Sequence, residues 1–163
     1  MSTDLHDRPS STALTTAELA ELVQSIAASP EQWRHLVQFD PDERWWTRLP
    51  GPEGVDVWLL SWLDSQGTEP HDHGDSSAAF TIVAGTLTEF RPADRGGLVA
   101  QELAAGRTQT VLPGQIHDVL NRAAEPAVSI HAYSPPLVRM TYYRATADGL
   151  EATRTVETTE PEE

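Results

Sequence analysis

The stretch "EPHDHGDSSAAFTIVAG" places His71 and His73 two residues apart, just ahead of an apolar run that ends at Gly85. On an extended segment that spacing puts both imidazoles on one face of a strand. Neutral imidazoles are common ligands for divalent transition metals, and a converging pair needs a third donor to make a site. The chain has six histidines; His6 lies in a polar N-terminal stretch and His35 in a helical segment, leaving His117 and His131 as candidates. In "LPGQIHDVLN", Pro113 and Gly114 mark a turn, from which His117 enters a strand ending near Asn121. In "AVSIHAY", Ser129, His131 and Tyr133 alternate, so all three face the same side of their strand. A buried tyrosine hydroxyl needs a partner, and a histidine two positions away on the same face can supply one. Arg48, in the apolar setting "WWTRL", reads as a buried guanidinium that requires an anion, from the protein or from a ligand.

Composition limits what these residues can be part of. A chain of 163 residues is one ordinary domain, and 39% hydrophobic content with five tryptophans fits a packed core. Trp33, Trp45, Trp58 and Trp62 read as core residues. The absence of cysteine rules out disulfides, thiolate metal sites and a cysteine nucleophile. All 11 basic residues are arginine, so Schiff-base chemistry on lysine is excluded too. A formal net charge of −14 argues against nucleic acid and anionic membrane surfaces as partners. The N-terminus lacks a signal pattern and no apolar run is long enough to span a bilayer, so a cytoplasmic monomer is expected.

The elements that must hold these side chains follow in order. Residues 1–13 are polar and read as a disordered N-terminus. Residues 14–39 read as a helical cap. In "TTAELAELVQSIAAS", Leu19, Leu22, Val23 and Ile26 share a face, with Thr15 and Glu18 as a capping box. "SPEQWRHLVQF" restarts the helical signal, with Ser29 as N-cap and Pro30 in the first helical position. From residue 44 to 149 the text turns into short runs such as "VDVWLLSWL", "AFTIVAG", "TQTVL" and "AVSIHAY", divided by Gly, Pro, Asp and Ser. Many short strands at close spacing imply a sandwich or barrel. Residues 150–163 read as an acidic, flexible tail. The expected fold is mainly β: an antiparallel small β-barrel under a short helical N-terminal cap.

Taken together, "GTEPHDHGDSSAAFTIVAG" and "PGQIHDVLN" resemble the two signature motifs of the cupin superfamily, over Gly67 to Asn121. The resemblance implies a jelly-roll barrel in which His71, His73 and His117 bind a divalent metal on adjacent strands. It departs at one position. Most cupins place a glutamate ligand four or five residues after the second histidine, where this chain has Ser77 and Ala78. Three neutral imidazoles leave the full charge on the ion, which suits a thiolate and a superoxide-like oxygen. Asp75 follows Gly74, whose turn preference directs the carboxylate elsewhere.

"HDHGDS", "AVSIHAYSPP" and the upstream "WWTR" further resemble the thiol dioxygenases, and among them the cysteine dioxygenases, from about Pro30 to Tyr143. The resemblance implies Fe(II) as cofactor and L-cysteine and O2 as substrates, with cysteine sulfinic acid as product. It implies that Arg48 holds the substrate carboxylate and that Ser129, His131 and Tyr133 form a relay beside the iron. Members acting on 3-mercaptopropionate usually carry glutamine at the Arg48 position and lack the Ser-Pro-Pro seen at 134–136, so this chain sides with cysteine. Ala78 matches the cysteine that is cross-linked to tyrosine in mammalian members, which leaves Tyr133 unmodified. Trp46 stands where a tyrosine often helps to hold the carboxylate. The resemblance also implies a cis bond between Ser134 and Pro135. Another small thiol, a zinc hydrolase-like cupin and a small-molecule binder remain as alternatives.

Overall fold

The structure, a computed structural model, describes residues 13–160. The expected disordered N-terminus therefore falls almost wholly outside the described residues. Among the described residues one α-helix, α1 (Thr16–Ala27), precedes eleven strands. Its capping box forms as expected: Thr15 Oγ1 accepts from the Glu18 amide at 3.1 Å, and Glu18 accepts from the Thr15 amide at 2.9 Å. The second helical signal yields only two 3-10 turns, Pro30–Gln32 and Arg34–Leu36, and Ser29 makes no side-chain cap. Trp33 separates them at φ −141°, outside helical geometry. Its indole is drawn beneath α1, where Nε1–H donates to the Ile26 carbonyl at 3.0 Å, and that burial outweighs a short segment's helical preference.

The strands are β1 (Trp46–Leu49), β2 (Asp56–Trp62), β3 (His71–Asp72), β4 (Ser77–Ala84), β5 (Thr86–Pro92), β6 (Leu98–Ala104), β7 (Thr108–Val111), β8 (Asp118–Leu120), β9 (Ala127–Ser134), β10 (Arg139–Thr146) and β11 (Gly149–Glu157). They form a five-stranded sheet, β1-β2-β9-β4-β7, and two three-stranded sheets, β11-β10-β3 and β6-β5-β8. All pairings are antiparallel. The sheets meet through bridges at His71–His117 and Gly67–Leu120 rather than closing into one hydrogen-bonded ring. The result is a jelly roll.

The five-stranded sheet is buried on both faces. Along β9, Val128, Ile130 and Ala132 pack outward against Leu19, Val23 and Ile26 of α1. Ala127 and Tyr133 belong to the inner cluster with Trp58, Trp62 and Phe80, and the alternation places Ser129 and His131 on that inner face. The helix thus covers the back of the sheet that carries the expected relay. Burying its three core side chains stabilises the cap by about 1.5–3 kcal/mol each.

The C-terminal reading requires correction. Residues 149–157 do not leave the fold as a tail; they form β11, paired along β10 with a register shift at Tyr142/Tyr143. The β-branched residues Thr153, Thr155 and Val156 suit a strand, and two contacts anchor it. Thr155 Oγ1 lies 2.8 Å from Thr141 Oγ1, and the Arg154 guanidinium sits 4.0 Å above the Tyr142 ring. The acidic side chains of β11 point to solvent, so net charge masked a strand whose support is mostly backbone pairing. The Ser134–Pro135 bond is cis, as the sequence resemblance implies.

Candidate metal centre

Backbone pairing alone brings the histidines together. His71 and His117 exchange two backbone hydrogen bonds across the bridge, 2.9 and 3.0 Å long, so their rings stand side by side at 4.8 Å. His73, two positions along from His71, completes the triangle, 4.9 Å from His71 and 5.1 Å from His117 between centroids. Gly74 then turns the chain away at φ +62°, a conformation that costs a side chain strain. Asp72 secures that turn, accepting the Gly74 amide at 2.9 Å and the Tyr143 hydroxyl at 2.6 Å. Burial and the adjacent Asp72 carboxylate push the Tyr143 hydroxyl up to about 12, so it stays a donor.

The ring nitrogens are sorted by what they touch. His71 Nδ1 donates to the Glu69 carbonyl at 2.6 Å and His117 Nδ1 to the Glu89 carboxylate at 2.8 Å, which turns both Nε2 atoms inward. His71 Nε2 and His73 Nε2 are 3.1 Å apart. Two donors each about 2.1 Å from one ion are separated by roughly 3.0–3.4 Å, so the observed spacing fits a shared metal. All three donor atoms lie within 4.8 Å of one another, and all three residues are buried. Burial first, then neighbouring histidines, hold His71 and His73 well below the usual histidine range, so both are neutral lone-pair donors at neutral pH. The donor set fits a borderline divalent metal such as Fe(II) or Zn(II).

No carboxylate joins this group among the described residues. Ser77 and Ala78 open β4 without one, and Asp75 is exposed, 3.4 Å from Arg139. Glu89 approaches from β5 but engages the far edge of the His117 ring. Burial raises its carboxyl, yet hydrogen bonds from His117, Arg91 and Gln109 outweigh that and hold it down at about 2.

A small cavity, with about 20 Å³ of room for a water-sized molecule, lies between His71 and His117 and the inner face of β2 and β9, where Trp58, His131, Tyr133 and Arg44 also line it. Ser129 Oγ accepts the Trp62 indole N–H at 2.9 Å, which leaves its own proton available to His131 Nε2 at 2.7 Å. His131 stacks on Phe80, with centroids 5.0 Å apart and planes 8° apart. Burial first, then the nearby charge of Arg44, lower its pKa to about 3, so it is neutral. Tyr133 packs against Trp58 at 4.9 Å and edge-on to His73 at 5.0 Å, linking the relay strand to the triad. Ala78 is the cross-strand partner of Tyr133.

The arginine expected to be buried is not the buried one. Arg48 is exposed rather than buried. β1 is an edge strand, and its guanidinium lies over Trp46 at 5.6 Å and Trp58 at 5.9 Å while donating to the Thr159 carbonyl. Arg44, which sequence reasoning passed over, is the buried one; it stacks on Trp62 at 4.8 Å and donates to the Gly67 carbonyl at 3.3 Å. Glu89 was also missed as a partner of the site. Its one sequence signal is an acidic residue in phase with the core residue Leu87 on β5.

Comparison with known proteins decides the family. The family described as cysteine dioxygenase type I matches residues 2–146. The chain belongs to that family. It is 31% identical to cysteine dioxygenase type 1 of Danio rerio over 149 residues, covering 81% of this chain and 71% of the relative. It is 26% identical to the Rattus norvegicus protein of the same name over 147 residues, with the same coverage. Among solved structures, a double-stranded β-helix protein from Klebsiella pneumoniae superposes with a TM-score of 0.55 at 16% identity, over 74% of this chain and 93% of that one. A cupin superfamily protein from Desulfitobacterium hafniense gives 0.53 at 12% identity, over 63% and 87%. These two establish the cupin fold. The family establishes an enzyme, a cysteine dioxygenase.

Proposed function

We propose that His71, His73 and His117 hold one Fe(II), and that the protein oxidises L-cysteine with O2 to cysteine sulfinic acid. The observation that carries this reading is the donor set: inward-facing imidazole nitrogens with no carboxylate among them, in a chain of the cysteine dioxygenase family. Bound ferrous iron would supply a Lewis acid that takes up the thiolate and the electrons that activate O2. The rest falls to the protein. Arg48, whose guanidinium lies over Trp46 and over the cavity-lining Trp58, is the group assigned to the substrate carboxylate, since a guanidinium pairs a carboxylate through two parallel hydrogen bonds. The Tyr133 hydroxyl orients the reacting atoms from the wall opposite the triad. Ser129 holds the neutral His131 in register behind it. Trp58, Leu60, Val119 and Met140 keep bulk water from the cavity. Both oxygen atoms pass to sulfur, and the thiol proton ends on the sulfinic acid or in solvent.

No helix among the described residues is long and apolar enough to cross a membrane. A cytoplasmic monomer with no nucleic-acid or membrane partner is the state proposed with this function. Oxygen uptake by iron-loaded protein tests the reading: one O2 consumed per L-cysteine, sulfinic acid as product, and slower turnover of 3-mercaptopropionate and cysteamine. Absence of uptake with every thiol would overturn it in favour of a hydrolytic or purely binding cupin.

A further inference from the structure

The side chain that most constrains the triad is not one of its members. Glu89 lies on β5 and is 1% exposed, in a sheet whose register pairs it with Val119, two residues beyond His117. Its Oε2 accepts His117 Nδ1–H at 2.8 Å and the Arg91 guanidinium at 2.9 Å, and its Oε1 accepts Gln109 Nε2–H at 2.8 Å. Arg91 is itself tied to the Thr110 carbonyl at 2.7 Å. The carboxylate is therefore held by three donors and has one geometry to offer the ring. Because a carboxylate only accepts, it holds a proton on His117 Nδ1, so that the ring in its neutral form offers the nitrogen on the opposite edge as the lone-pair donor. For His71 the same job falls to a backbone carbonyl, which no substitution can remove.

Building on the metal-centre reading above, we infer that Glu89 is a positioning residue: it locks the His117 tautomer and ring plane and thereby sets the metal affinity of the site. Carboxylate partners of metal-bound imidazoles affect affinity by about 10–100-fold, by orienting the ring and raising its basicity. A buried ion pair with Arg91 would be enough for a purely structural role, and such a role would show in unfolding rather than in metal binding. The two roles therefore separate experimentally.

The test is Co(II) titration of wild-type and Glu89→Gln apoprotein, read by the visible absorption of the bound ion, beside the unfolding temperature of each apoprotein. The expected result is Co(II) binding weakened about 10–100-fold in the variant, in an apoprotein whose unfolding temperature drops with the loss of the Arg91 pairing but which is still folded at the temperature of the titration. Equal Co(II) affinity in the two proteins would overturn the inference, as would a variant whose only change is a lower unfolding temperature. Should Glu89→Gln fail to fold, 15N shifts of the wild-type apoprotein imidazoles decide the matter. A proton on His117 Nδ1 supports the assignment, and one on Nε2 overturns it. Wild-type protein that binds no Co(II) would sink the metal-centre reading itself, a different outcome from wild-type binding that Glu89→Gln leaves intact.

Discussion

The cavity has two walls built on different principles. The wall formed by β3, β5 and the approach to β8 holds its imidazoles through directed hydrogen bonds: a backbone exchange between His71 and His117, the Glu69 carbonyl and the Glu89 carboxylate. On the wall formed by β2, β9 and β4, Phe80 stacks on His131, Trp58 packs on Tyr133, and a hydrogen-bonded chain runs from Trp62 through Ser129 to His131. A ligand nitrogen must hold its direction to within about 10–20°, and hydrogen bonds supply direction. A wall that orients substrate and excludes water needs shape and apolarity, which packing supplies. His73 stands between the two: its Nδ1 is buried with no partner among the described residues, and its ring leans on Tyr133.

The largest expected effect comes from removing a directed group. His117→Ala should leave a folded protein that retains no stoichiometric iron, measured by metal content after iron loading and desalting. Retention of one iron per chain would show that the hydrogen-bonded wall is not the metal site. Arg48→Ala comes next and acts on the exposed guanidinium that lies over Trp58 of the packed wall. Loss of a charge-assisted bidentate contact costs about 1.5–3 kcal/mol, or roughly 10–150-fold in KM for L-cysteine. Cysteamine, which lacks the carboxylate, should be oxidised poorly by both proteins. If the variant's KM is unchanged, the carboxylate lies elsewhere, and the buried Arg44 becomes the candidate cation.

A smaller change is expected for Tyr133→Phe, which keeps the packing and deletes one hydroxyl. Iron content and anaerobic cysteine binding should stay at wild-type levels while kcat falls about 10-fold, as for an interaction made mainly in the transition state. A parallel loss of iron would mean that the tyrosine belongs to the metal wall.

The mildest perturbation is pH, applied to the apoprotein. His71, His73 and His131 all have folded-state pKa values below the ordinary 6.5, with His131 at about 3. Between those values and 6.5 the unfolded chain binds more protons than the folded one, so stability is intact above 6.5 and falls as pH drops. Each such histidine contributes a slope of up to about 1.4 kcal/mol per pH unit. Glu89, lowered from 4.5 to about 2, adds a loss of the same sign below 4.5. Thermal unfolding followed from pH 7.5 to 4.5 should show a falling midpoint, steepest below 6.5. A midpoint that rises on acidification would mean that these imidazoles are not buried neutral.

Much of this was legible in the amino-acid sequence, and what was legible is local. The two-residue spacing in "HDH" and in "SIHAY" fixes which side chains share a strand face, because the pleat repeats every two residues. The capping box and the apolar phase of "AELAELVQSI" likewise determined α1, and the histidine motifs pointed to the jelly roll. The tertiary structure decided whatever depends on partners far along the chain. Glu89 meets His117 across 28 residues, Arg44 meets Gly67 across 23, and Arg48 reaches Thr159 across 111. None of these pairs has a periodicity to betray it. The same reason explains the strand at 149–157: its pattern is polar and acidic on the surface, and only the open edge of β10 gives its backbone a partner. Residue type and phase say which side chains can do chemistry. Long-range strand register says which arginine is buried and which carboxylate holds the proton of His117.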